Sequence, residues 1–186
     1  MIYVSGFLRK FQVTLMQAIR YVTRPVQVSK GIIPLMLLVE EGKKSVLLTG
    51  DGHADDILDG LKHHGRLDSD HRVHVDVLKV QHHGSEHNMT EEFAERVSAD
   101  QYVFCGNGKH ENPDLRVVEL LCQRRLERND GKSFKLWFNS SAAAAPSGTP
   151  RQHMRELETL VAKLQGNAGG LIKARFLDAP SFALRV

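Results

Sequence analysis

Cysteine is scarce and unpatterned in this sequence: Cys105 and Cys122 stand alone, and no CxxC or zinc-ribbon spacing surrounds them. That excludes a disulfide framework and a structural zinc site of the usual spacing. Their apolar neighbours make both of them expected buried free thiols, which suits a reducing compartment such as the cytoplasm. No uninterrupted apolar stretch approaches the ~20 residues that span a bilayer, so no membrane span is expected. Strong net charge is missing as well. The formal value of +3 does not by itself imply nucleic acid. There are no internal repeats. Acidic residues are absent from Met1 to Val39, although Arg9, Lys10, Arg20, Arg24 and Lys30 lie there. Leu8, Phe11, Leu15, Ala18, Ile19 and Val22 fit one side of a helix in that region. Residues 1–31 therefore read as a basic segment, either a transit or membrane-surface helix or one that packs on the domain.

What is present is ordinary globular composition. With 186 residues, 41% hydrophobic and 25% charged, the chain is sized for one domain with a substantial core. Ile32 to Glu40 and Ser45 to Thr49 read as strands joined by Glu41-Gly42-Lys43-Lys44, a hairpin signal. Pro34 weakens the first strand or places it at an edge. Ile57, Leu58 and Leu61 mark a helix over Ala54 to Lys62, with Asp55 and Asp56 in its first turn. A polar loop follows to His74, then a strand over Val75 to Val80. Thr90 is the expected N-cap of a helix to Val97, and Tyr102 to Cys105 the next strand. Asn112 would cap a helix whose first residue is Pro113. Phe134 to Phe138 is a short strand. Residues 139–150, containing SSAAAAPSGTP, read as a low-complexity linker. Residues 151–186 would add a helix and a strand pair, Leu171 to Leu177 and Phe182 to Val186, on the same domain. The alternation argues a layered α/β (α+β) fold.

Three apolar runs each end in a polar cluster: Asp51 and His53, then His82 and His83, then His110. Ligands usually bind at the carboxyl ends of such strands. Asp51, between two glycines, could bridge cations or position water, or could instead cap the next helix. In His82-His83-Gly84-Ser85, successive side chains of a continuing strand would point to opposite faces, so one histidine would reach a given site. Ser85 and the amides near Gly84 suit an anionic oxygen. His110, preceding a helix start, gains force as the third member of the series. Ten histidines are many for this length, and His53, His63, His64, His71 and His74 lie between the first two motif strands.

Together these stretches resemble the metallo-β-lactamase superfamily, and most nearly its branch that includes the nuclease-like domain of competence DNA-uptake proteins. The matching residues are Leu47-Leu48-Thr49-Gly50-Asp51, Leu78-Lys79-Val80-Gln81-His82-His83-Gly84-Ser85, and Asn107 to Pro113. The likeness covers residues 32–138. It implies a metal-dependent hydrolase with a dinuclear Zn²⁺ or Mn²⁺ site. In that site Asp51 would bridge the metals, His82 and His110 would ligate, and His83 with Ser85 would act on substrate; His83 is the alternative ligand to His82. Substrates implied by the superfamily range from nucleic acids to small esters. The superfamily's principal metal motif, HxHxDH, is absent. The chain thus corresponds to the C-terminal half of an αββα sandwich, and one carboxylate with one or two imidazoles does not close a dinuclear site. It is expected to be a truncated product, one part of a split protein that joins an N-terminal half-domain or itself, or a non-catalytic binding or assembly module.

Overall fold

The computed structural model describes residues 35–177 and 184–186. The basic segment 1–31 and the first residues of the expected 32–40 strand lie outside the described residues. Strand β1, Leu37–Glu41, turns through Gly42-Lys43 into antiparallel β2, Lys44–Leu48, with Val39 opposite Val46. Gly42 has φ of 60°, the positive angle that a two-residue hairpin turn asks of its first central residue.

From β2 onward the chain repeats a strand–helix crossover. Helix α1 (Ala54–His63) leads to β3 (Val73–Lys79), α2 (Glu91–Arg96) to β4 (Val97–Phe104), α3 (Leu115–Glu127) to β5 (Phe134–Phe138), and α4 (Thr149–Asn167) to β6 (Ile172–Phe176). The sheet order is β1-β2-β3-β4-β5-β6, and every pair after the hairpin is parallel. Each crossover advances one strand in the same direction, so right-handed connections put every helix on one face. The core bears this out. Ile57, Leu58 and Leu61 of α1, Phe93 of α2, Val118 and Leu121 of α3, and Met154 and Leu157 of α4 gather with Leu78, Tyr102, Phe104, Leu136 and Phe138 from the sheet. The opposite face holds a smaller apolar cluster, Val39, Val46, Val77 and Val103 with Leu184. The layered α/β fold expected from the alternation is therefore present as two layers plus an apolar second sheet face.

Several elements differ from expectation. Strand β4 starts at Val97, where the sequence suggested the end of a helix. Val97, Ala99 and Tyr102 face the helices, and the polar residues between them obscure the strand pattern. Thr90 does cap α2, its Oγ1 accepting from Phe93 N at 3.2 Å. Asn112 caps nothing and Pro113 is not helical: α3 begins at Leu115, with Asp114 at the N-cap position. The Pro113 carbonyl is instead held by His153 Nε2 at 2.9 Å, on buried α4 surface. Residues 139–150 pack closely on the helix layer. Ala142 and Ala145 are buried, and Ala142 N donates to Glu158 Oε1 of α4 at 2.7 Å. Of the second C-terminal strand, residues 178–183 lie outside the description, while 184–186 form no strand.

At the amino end of the sheet Arg125 of α3 is buried, its side chain 1% exposed. Its Nη1 donates to Asp130 Oδ1 at 2.9 Å, and its guanidinium lies 5.5 Å from the Phe134 ring centre. The bond from Arg125 pulls the Asp130 carboxyl from its ordinary 3.8 down to about 2. A depressed carboxyl contributes stability above its unfolded value and loses it as pH falls through the folded one. Asp130→Asn should therefore flatten the loss of stability between pH 3.8 and about 2. At neutral pH it should cost about 2 kcal/mol, below the ~3–5 of a fully buried pair because Asp130 is partly open to solvent. Urea unfolding across pH measures both effects.

Candidate functional site

Strands β2, β3 and β4 end level. Leu48 pairs with Lys79, and Lys79 with Val103, so their carboxyl-end loops leave the sheet side by side. Thr49 is fully buried and its Oγ1 donates to Lys79 O at 2.5 Å, tying the first strand end to the second. Gly50 follows at φ 53°, where a Cβ would stand 2.7 Å from Leu35 O, so only glycine fits. Its carbonyl accepts from His82 N at 3.0 Å and from Lys79 Nζ at 3.2 Å.

Asp51 is exposed and does not cap the next helix; His53 occupies that position, without a side-chain cap bond. The carboxylate thus stands free of the structural role that the sequence left open for it. His82 and His83 do not continue the strand, so the expected alternation of their side chains does not apply. Both adopt left-handed backbone, φ 40° and 59°, and Gly84 follows at 90°. His110 at 56° and Glu111 at 59° do the same in the third loop. Each non-glycine residue there is strained by about 1–2 kcal/mol. Three of the predicted site residues carry such strain, a pattern that accompanies functional loops.

Hydrogen bonds hold the loops together. Asn88, 3% exposed, accepts from His82 Nδ1 at 2.6 Å through Oδ1, while its Nδ2 donates to Asp51 O at 3.1 Å and Gly52 O at 3.2 Å. His83 Nδ1 donates to Cys105 O at 2.9 Å, joining the second loop to the end of β4. Asp114 N donates to Gly84 O at 3.0 Å, and Glu86 N to Asp114 Oδ2 at 2.7 Å. A carbonyl can only accept, so neutral His83 carries its proton on Nδ1 and presents the Nε2 lone pair. Its ring centre is 6.0 Å from that of His82. Ser85 is 5% exposed.

The structure thus brings Asp51, His82 and His83 into one hydrogen-bonded pair of loops, with His110 exposed in the neighbouring one. Among the described residues, however, no three His, Cys, Asp or Glu side chains come close enough to share a metal ion. Taken alone, these residues do not fit the dinuclear site that the resemblance implies. Both cysteines are free thiols. Burial pushes Cys105 up, and Cys122 up to about 12, so neither supplies a ready thiolate. Lys79 and Asp114 are the site residues that sequence reasoning missed, because their bonds reach loops far along the chain; Asn88 reads from the sequence only as a weaker candidate.

No family model, curated protein or solved structure matches this chain. Among the described residues no helix is long and apolar enough to cross a membrane.

Gly84 is a tight point of the constellation, since a Cβ there would lie 2.8 Å from Pro113 Cβ and 3.1 Å from Phe104 Cδ1. Gly84→Ala should destabilise the protein by about 2–4 kcal/mol, combining backbone strain with overpacking. Gly60→Ala, in helix α1 with nothing within 4 Å, should instead stabilise by roughly 0.5–1 kcal/mol. Paired urea melts compare the two.

Proposed function

We propose that this chain is the C-terminal half of a metal-dependent hydrolase of the metallo-β-lactamase type, acting on a phosphodiester or another ester-like centre. The observation that carries the reading is the level ending of three parallel strands in loops that hold Asp51, His82, His83 and His110. Two of those loops are strapped together by Asn88. The second sheet face carries its own apolar cluster, already buried within this chain, so an N-terminal half-domain or a second copy would have to meet the chain at the edge that holds the loops.

In such an assembly the metals, Zn²⁺ or Mn²⁺, would be held jointly, since the described residues of this chain gather no three-ligand group. Metal ions in sites of this kind lower the pKa of bound water and stabilise oxyanion charge. What the chain itself offers is an exposed carboxylate at Asp51 and imidazole lone pairs at His82 and His83, with His110 nearby. Substrate contact falls to His83, whose ring is exposed and fixed to the end of β4. Ser85 is the weaker candidate for that role because it is buried. The free thiols fit a cytoplasmic setting.

A second reading, a non-catalytic binding or assembly module with a vestigial site, is favoured by that same lack of a three-ligand group. Metal content and bis-p-nitrophenyl phosphate hydrolysis distinguish them. The purified chain alone should hold well under one metal ion and be inactive. Combined with an HxHxDH-bearing half, such as a protein encoded immediately upstream, it should gain stoichiometric metal and activity. Asp51→Ala should abolish both. Full activity of the chain alone would refute the half-site account; absence of metal even with the partner would leave the binding module.

A further inference from the structure

We infer that Asn88 is a positioning residue that fixes His82 as its Nδ1–H tautomer, so that the Nε2 lone pair faces outward to accept a proton or a cation. In the sequence Asn88 stands between His87 and Met89, two residues before the Thr90 cap, and reads at most as an aid to that cap.

The inference follows from which atoms can donate. One end of the Asn88 amide faces two backbone carbonyls, Asp51 O at 3.1 Å and Gly52 O at 3.2 Å. Carbonyl oxygens accept only, so that end must be the NH₂ group. Flipping the amide would set its oxygen against two others in a buried place. The remaining end is therefore Oδ1, an acceptor, and it lies 2.6 Å from His82 Nδ1. Only an Nδ1–H can satisfy it. In the neutral ring Nε2 then carries the lone pair.

Asn88 has little freedom to do otherwise. It is 3% exposed, its backbone carbonyl accepts from the fully buried Gln81 Nε2 at 3.0 Å, and its amide donates to Ser85 O at 3.2 Å. Its side chain thus couples the conformation of the Asp51 loop to the protonation pattern of His82. His83 reaches the same tautomer by a different route, through the Cys105 carbonyl. Both rings of the pair then present Nε2. An imidazole held through its other nitrogen is the arrangement by which proteins orient histidine ligands and bases.

The inference rests on reading His82 as a site residue, and its test needs neither metal nor partner. The full chain, labelled with ¹⁵N-histidine, is studied by long-range ¹⁵N–¹H correlation in metal-free buffer at about pH 8.5, about two units above the ordinary imidazole value. His82→Gln assigns the His82 signals. Wild-type His82 should show a protonated Nδ1 and a bare Nε2, favoured by roughly tenfold or more, the factor a well-made hydrogen bond contributes. Asn88→Ala should shift the His82 population toward Nε2–H while leaving His83 unchanged. Should Asn88→Ala fail to fold, the wild-type Nδ1 and Nε2 signals of His82 decide the tautomer by themselves. Wild-type His82 carrying its proton on Nε2 would overturn the inference. So would an unchanged Nδ1–H population in folded Asn88→Ala. An Nδ1–H result combined with no metal uptake by the complemented protein would keep the positioning role and sink the hydrolase. The reverse combination would do the opposite.

Discussion

The parallel register across β2, β3 and β4 is the constraint on which the rest depends. Because Leu48, Lys79 and Val103 lie in one row, three loops begin at the same height and within reach of one another's backbone. Bonds between loops then fix them: Thr49 to Lys79, His82 to Gly50, His83 to Cys105, Asp114 to Gly84. Left-handed backbone at His82, His83 and His110 is tolerated only because these bonds over-determine each loop. A one-residue slip in this register would move the apolar side chains to the wrong face and separate the loops together.

The helix layer supplies the stability that this arrangement draws on. Sequential parallel strands with right-handed crossovers concentrate Phe93, Leu121, Met154 and Leu157 on one face. The other face is left with a narrower apolar strip. The residues of that strip are buried within this chain as well. The same geometry gathers the histidines and the carboxylate at one edge of the sheet.

Much of this was legible in the sequence. The runs around Leu47, Leu78 and Phe104 announced buried strands, and Gly42 between two apolar runs announced the hairpin. What was not legible depended on distant partners. The amino half of β4 was hidden by Ser98, Asp100 and Gln101, polar residues set among the helix-facing ones. Pro113 suggested a helix start, but its carbonyl is engaged by His153, forty positions away, and the helix begins later. The left-handed histidines had no local signature, since glycine and asparagine are the usual occupants of such backbone. The bonds of the Asn88 side chain to Asp51 O and Gly52 O leave no trace in spacing.

The central claim is that Asp51, His82 and His110 belong to one constellation at one sheet edge. Paramagnetic relaxation by Mn²⁺ tests it most directly, read amide by amide on the ¹⁵N-labelled full chain as the ion is titrated in at weakly binding concentrations. Amides of residues 51, 82, 83 and 110 should broaden together and before the rest of the protein. Early broadening at acidic surface loops such as Asp68 and Asp70, with the strand-end loops untouched, would contradict the account.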